Sequence, residues 1–469
     1  MPIIVILTAL IAAVLLGSLA TAVSHSYVLI LAGSAVLAVF AFLSPRASLV
    51  ILLFSMLLSP EIGFGDITAT RSVILRYDDI VLMIIFLSWF ARTAIMKGRA
   101  FITQSPVQTP VLIYTALCVV STSLGIMRGD VRFNVAFFYV LKYVEYFLLY
   151  FMAVNIADSK EEVKKYLAYG LVIAVIVTIY AYYYYYSSGA GARATAPFEA
   201  PIGRPQDSEP ASLGGYYLLV FGILLGLLTE YSGKIMMWTL AALAFMFPAF
   251  LLTFSRASYI GLAALFAALL LLSERRKTLL GFFMAGLFAF GMFMPGLSGP
   301  VRERVSMTYQ GAYAVKDVQT GFGTVKLEES AWLRIASIRG ALFDKLPKHP
   351  IMGWGVTGAG MGDTQYTLLI GELGVAGTFV FFWMLYRIFS SSRRVYSAFE
   401  EKWIKALALG VMVAVPGLLF QAVGVNTFII VRIMEPLWFL SAMIMVLCRI
   451  ADREKAPPES AAAAPKAGE

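Results

Sequence analysis

VKKYLAYGLVIAVIVTIYAYYYYYS, residues 163–187, runs for 25 residues with its only charges in the first three positions and a block of tyrosines at its end. At about 1.5 Å of rise per residue, a helix of this length crosses a hydrocarbon core of about 30 Å. Lys164 and Lys165 mark one interface. Tyr180 and Tyr182–Tyr186 mark the other as an aromatic belt, since amphipathic rings settle at headgroup depth.

The pattern repeats along the 469-residue chain. Apolar spans fall at about 2–23, 26–43, 48–59, 77–96, 109–126, 135–155, 163–187, 211–229, 235–253, 257–273, 278–295, 364–388, 404–424 and 430–448. The composition agrees: 60% hydrophobic, 14% charged and a mean hydropathy of +0.80. A soluble enzyme or a disordered chain is excluded. The runs are too long and too evenly apolar for the alternating strands of a membrane barrel. The expected fold is an all-α polytopic membrane protein of about 14 transmembrane helices, in which the short 48–59 segment is kinked or re-entrant. The first span lacks a basic leader and reads as a retained helix. Cys118 and Cys448 both lie in spans, which gives no disulfide framework, and two histidines exclude a His-rich metal site.

Lys and Arg set the orientation. With the N-terminus inside, short cytoplasmic segments carry Arg46, Lys97, Arg99, Lys160, Lys234, Arg275, Arg393, Arg394 and Lys402, the positive-inside pattern. The loops 188–210 and 296–363 are then outside, 156–162 and 389–403 inside, and the tail 451–469 is disordered and cytoplasmic. The outer segments hold 12 Arg against 4 Lys, whereas the inner ones hold 10 of each. Topology does not require this excess. Arginine is the better bidentate partner for phosphate, so an outward site for an anionic, phosphate-bearing ligand competes with simple snorkelling.

Three outer segments carry the candidates. The Pro/Gly-rich 188–210 loop contains RATAPFEAPIGR (193–204), with Arg193 and Arg204 at its ends. TFSRAS (253–258) puts Arg256 at a span boundary. In the 296–363 loop, Trp332, Ile335, Ile338, Leu342 and Leu346 recur at helical spacing, with Arg334 and Lys345 elsewhere on the surface. Such a helix lies in the interface or caps a cavity, and its apolar face reads first as packing. GWGVTG (353–358) fits G-x-G-x-x-G but follows no strand, so it is read as a tight turn rather than a nucleotide loop. Within the spans, Lys142 and Glu145 at i,i+3 suggest a structural ion pair first and a proton relay second, and Glu372 points to the outer cavity.

TFSRAS at 253–258, HPIMGWG at 349–355 and D-T-x9-G-V-A-G-T from Asp363 to Thr378 together resemble the O-antigen ligase/polymerase superfamily of membrane glycosyltransferases. Residues 211–388 carry the resemblance, including the 296–363 loop; residues 1–210 match in topology, and 389–450 supply the last helices. In ligases of this superfamily the place of Asp363 is held by a histidine implicated in activating the acceptor. Asp363 here shifts the resemblance toward polymerase-type and exopolysaccharide members.

The resemblance implies a GT-C-related fold with a large, partly helical periplasmic loop, in a bacterial inner membrane. It implies an undecaprenyl-diphosphate-linked oligosaccharide donor, a glycan or lipid acceptor, and assembly and export proteins as partners. No nucleic acid is expected. Arg256 and Arg193 are the first candidates for the diphosphate, with Arg204, Arg334 and Arg339 behind them. Asp363 is the expected base, with an acidic N-cap of the following helix as the competing reading. Glu372 is an acceptor contact or supports one from behind, while His349, Gly353, Gly355 and Tyr366 are expected to line the substrate cavity. No Asp-x-Asp motif occurs on the outer loops, so neither metal nor cofactor is expected and arginine takes the cation's place. The competing readings are an O-antigen ligase and, from another class, a transporter or flippase.

Overall fold

A computed structural model describes residues 25–68, 71–96, 103–189, 191–199, 209–275, 281, 283, 284, 286, 298–306, 314–320, 323–360 and 364–455. The expected span 2–23, most of 278–295, Arg204, Asp363 and the tail from 456 lie outside them.

The described chain is dominated by helix. In order come α1 (His25–Leu43), α2 (Pro45–Leu58), α3 (Tyr77–Ile95), α4 (Gln108–Arg128), α5 (Phe133–Ile156), α6 (Lys160–Ser187), α7 (Pro210–Glu230), α8 (Lys234–Leu251), α9 (Arg256–Leu272), α10 (Ser298–Ser306), α11 (Glu329–Arg339), α12 (Gln365–Ala398), α13 (Lys402–Gln421) and α14 (Val431–Lys455). Two short antiparallel hairpins interrupt them, β1 (Glu61–Thr68) with β2 (Arg71–Arg76) and β3 (Ala314–Thr320) with β4 (Gly323–Glu328).

Eight described helices are long and apolar enough to cross a membrane: α4 to α8 and α12 to α14. The apolar α2 and α9 are shorter, at 14 and 17 residues, and α1 has an apolar part at Ala32–Leu43. The fourth expected span, α3, opens on Asp78 and Asp79 and carries Arg92. The span expected at 364–388 continues as helix to Ala398, so most of the expected 389–403 loop is helical. Arg387, at the end of the expected span, donates from Nε to the Pro106 carbonyl at 2.9 Å.

Local signals explain the helix starts. Ser159 caps α6 by accepting the Glu162 N–H, Ser255 caps α9 by accepting the Ser258 N–H, and Thr364 caps α12 by accepting the Thr367 N–H. Gly129, left-handed at φ 81°, closes α4.

The centre of the bundle is α7, α13 and α14, buried along most of their length. Side chains too small to keep the backbones apart bring three helices together. A Cβ on Gly222 of α7 would lie 2.5 Å from the Gly410 carbonyl oxygen of α13. One on Gly261 of α9 would lie 2.7 Å from that of Gly417. Close approach through small residues replaces the hydrophobic drive that helices lack in lipid.

The two ends of the bundle differ in chemistry. At one end Arg46 binds Asp158 (3.1 Å) and Glu162 (2.6 Å), Lys160 binds Glu401 (2.7 Å) and Glu454 (2.9 Å), and Arg275 binds Glu230 (3.2 Å). These pairs join the segments that the Lys/Arg count assigns to a single side. The segments 193–199, 253–256 and 422–432, each carrying one arginine, gather at the opposite end. Cysteines introduced at Glu400 (side chain 88% exposed) and Met127 (83% exposed) are therefore expected to react with a membrane-impermeant maleimide from opposite sides of the membrane. Both native cysteines are buried and leave the background low. Labelling of both positions from the same side rules out this arrangement.

Candidate functional site: an arginine-lined cavity open to the apolar surface

At the Arg-rich end a cavity of about 1400 Å³ opens among α3, α5, α9, α11 and the 422–432 segment. Six of the 12 outer arginines line it: Arg76, Arg193, Arg256, Arg304, Arg334 and Arg432. Its apolar wall includes Met83 and Leu87 of α3, Phe138 and Leu141 of α5 and Ile260 of α9. All five are exposed, so the cavity opens sideways onto the apolar surface of the helices as well as toward their ends.

The 252–256 turn is the best-defined part of the rim. After α8 the chain leaves the helix, with Phe254 at φ 47°. The carbonyls this frees are taken by Arg193, whose Nε donates to the Thr253 oxygen (3.0 Å) and Nη2 to that of Phe254 (3.2 Å). Ser255 then caps α9, and Arg256 becomes its first residue, half-buried at the rim. Burial, then the positive fields of Arg304 and Arg256, lower the pKa of Arg193 to about 10. It stays charged at neutral pH, and the cluster pays a mutual repulsion that an anion would relieve.

The amphipathic helix expected in the 296–363 loop is α11, continued by a π-turn at Gly340–Lys345. Its Arg334, Ile335 and Ile338 line the cavity, so part of the face read as packing is cavity wall. Ser337 ties α11 to the start of α12 by donating to the Thr367 hydroxyl at 3.2 Å. Arg339 is exposed and does not line the cavity.

The remaining candidates form a different structure. Gly374, at φ 62° and ψ −158°, breaks α12, and HPIMGWG fills the break. Val375 and Ala376 donate their N–H groups to the Pro350 (2.9 Å) and Ile351 (3.1 Å) carbonyls. In return, Trp354 and Gly355 donate to the Gly371 and Glu372 carbonyls, both at 2.9 Å. Ser121 of α4 donates to the Met352 (2.5 Å) and Glu372 (2.9 Å) carbonyls. The Glu372 carboxylate is 3% exposed and accepts the Thr357 N–H at 2.7 Å. It braces this turn and does not line the cavity it was expected to face. His349 meets the Trp354 ring edge to face at 4.5 Å, and Gly353 and Gly355 supply left-handed backbone at φ 68° and 91°. Tyr366 donates to the Leu419 carbonyl at 2.6 Å, holding α12 to α13. Of the four residues expected in the substrate cavity, none lines it.

Sequence reasoning missed Arg76, Asp79, Glu199, Arg304 and Arg432, all of which line the cavity. Arg432 is 2% exposed, donates to the Leu57 carbonyl (3.2 Å) and has its Nε 3.9 Å from Glu199. The test that singled out Lys142 and Glu145, a charge inside an apolar span, finds Asp78, Asp79, Arg432 and Glu435 as well. The Lys142–Glu145 pair itself is present at 3.2 Å, with Asp79 2.5 Å from the same Lys142 Nζ.

Comparison of the chain with protein-family models and with curated proteins finds no match in either.

The plugged helix break makes a specific demand on Gly353. A Cβ there would sit 2.6 Å from the Glu372 carbonyl atoms, on top of the left-handed penalty of about 1–2 kcal/mol. Gly360 has a similar φ of 73° but open space around it, with Lys345 Nζ nearest at 3.7 Å. Gly353→Ala is expected to lower the thermal midpoint in detergent well below that of Gly360→Ala. Equal midpoints mean that the plug does not hold the break.

The role of Glu372 separates by substitution. Glu372→Gln keeps an oxygen to accept the Thr357 N–H and is expected to keep the fold. Glu372→Ala leaves that buried donor unmet, at about 1–3 kcal/mol, and is expected to melt earlier.

Proposed function

We propose that this chain is a membrane glycosyltransferase of the O-antigen ligase/polymerase type, facing the periplasm and using an undecaprenyl-diphosphate-linked oligosaccharide as donor. The observation that carries the reading is the cavity, in which arginines gather at a rim while the adjoining wall opens onto the apolar surface of the bundle. A polyprenyl diphosphate has this division: a tail that stays in lipid, and a dianionic group at headgroup depth.

The chemistry follows from the donor. An acceptor hydroxyl attacks the anomeric carbon, the bond from that carbon to the diphosphate oxygen breaks, and configuration inverts. The hydroxyl proton passes to a base, for which Asp363 is the candidate, and the negative charge grows on the departing diphosphate. Arg256, Arg304 and Arg334 stabilise that charge, with hydrogen bonds that strengthen as it develops. Arg193 contributes mainly as a fixed field, because two of its nitrogens hold the 253–254 carbonyls. The identity of residue 363, Asp where the ligases carry His, favours polymerisation of repeat units over transfer to a lipid A core.

A strain deleted for the gene tests the reading by its surface polysaccharide resolved on a gel. Loss of polymer with a single repeat retained supports a polymerase, and intact lipid-linked polymer that never reaches its acceptor indicates a ligase. Unchanged polysaccharide overturns both. In the same strain, Arg256→Lys is expected to lose at least about tenfold in rate, about 1.4 kcal/mol, since an ammonium lacks the planar fork. Asp363→Asn is expected to cost about 10²–10⁴-fold. The test is clean because Thr364 already caps α12. Activity within a few fold of wild type removes Asp363 as the base.

A further inference from the structure

Beside the arginine rim, the cavity wall carries a second charged group of opposite character. Asp78 and Asp79 lie in the first turn of α3, Glu145 midway along α5, and Glu435 one turn into α14. Asp78, Asp79 and Glu435 each bring a carboxylate oxygen to within 4.8 Å of the others, and all three are buried. Arg76 Nη2 lies 2.7 Å from Asp78, and Lys142 Nζ serves Asp79 and Glu145. Ser59 donates to Asp78 Oδ1 at 2.8 Å, and the Arg76 N–H to Asp79 Oδ2 at 2.9 Å.

Those donors do not reach the whole cluster. Glu435 is fully buried, and no N–H or hydroxyl among the described residues donates to either of its carboxylate oxygens, which have the Asp78 carboxyl as their neighbour. Asp79 Oδ1 and Glu145 Oε1 likewise receive no such donor among the described residues. Four carboxylates thus face two cations, Arg76 and Lys142. Arg432, three residues before Glu435, is committed to Glu199 and the Leu57 carbonyl. Two uncompensated negative charges buried in a helical bundle are far costlier than two exposed ones.

We propose that Asp78, Asp79 and Glu435 bind one hard divalent cation of the Ca²⁺ or Mg²⁺ class, with Glu145 completing the charge balance. Such an ion takes carboxylate oxygens at about 2.0–2.6 Å, so its ligand oxygens stand no more than about 5 Å apart, a limit that these three meet. Its charge of +2 cancels the excess. Asp79 and Glu145 line the cavity, which provides an entry path and room for water in the remaining coordination positions. The ion ties α3 to α14 and acts on the cavity from behind its wall, apart from the arginines of the rim. It does not depend on the glycosyltransferase reading.

The alternative source of neutrality is two protons, each shared between neighbouring carboxyl groups, and the experiment separates the two. Full-length protein is purified in detergent, stripped with a chelator and titrated at pH 7 with Mn²⁺, the free ion being followed by electron paramagnetic resonance. The expected result is one Mn²⁺ per chain, displaced by Ca²⁺ or Mg²⁺, with a raised thermal midpoint. Glu435→Gln is expected to weaken binding at least tenfold, and Asp79→Asn provides a second variant should the first fail to fold. Glu372→Gln, a buried carboxylate outside the cluster, should bind as wild type does. Absence of Mn²⁺ binding by the wild-type protein at millimolar concentration overturns the proposal in favour of protons, as does binding that neither cluster variant alters.

Discussion

A peptide group that leaves the helical ladder inside a bilayer has no water to turn to and must be bonded within the protein. Three interruptions of this bundle meet that demand in three ways. At 252–256 a guanidinium does it, with Arg193 closing the carbonyls of Thr253 and Phe254. At 371–376 another stretch of main chain does it, as HPIMGWG exchanges hydrogen bonds with both sides of the Gly374 break. At 422–430 amides and a phenol do it. Gln365 accepts the Phe428 N–H at 2.9 Å, and Tyr146 donates to the Ile429 carbonyl at 3.0 Å. The first and third interruptions form much of the cavity rim, so the site stands where the helices stop.

The same rule governs the charges. At the end that joins 46, 158–162, 230, 275 and 401, the pairs Arg46–Asp158 and Lys160–Glu401 cross loops with substantial exposure and each adds little stability by itself, whereas Arg275 reaches the buried Glu230. At the other end Arg193, Arg256 and Arg304 repel one another while half-buried. Arg193 offsets that repulsion in part through its hydrogen bonds to the 253–254 carbonyls.

Much of this was legible in the sequence because long apolar runs bounded by Lys, Arg and Tyr leave few alternatives to membrane helices. The helix at Glu329–Arg339 was legible from its spacing, and Arg193, Arg256 and Arg334 from arginine where lysine or a neutral residue would have served. What was illegible is tertiary. Glu372 is expected at the cavity because it lies within a span with no basic partner on its own helix, but the break at Gly374 admits the 349–357 turn, whose Thr357 N–H the carboxylate accepts. Glycines and a histidine in HPIMGWG look like a substrate loop, yet they answer a backbone break that only the fold reveals. Arg432 and Glu199 are 233 positions apart and meet only once α14 is placed against the 191–199 loop.

The glycine contacts of α7, α9 and α13 carry a mechanical consequence. Where backbone rests on backbone, as at Gly222 with Gly410 and Gly261 with Gly417, no side chain remains to repack, and sliding by a fraction of a turn would collide main chain with main chain. The three helices therefore behave as one stiff beam. Arg256, at the tip of α9, is fixed to that beam, whereas α3, α5 and α11 on the facing walls are not. Those walls share none of the glycine contacts that set the position of Arg256.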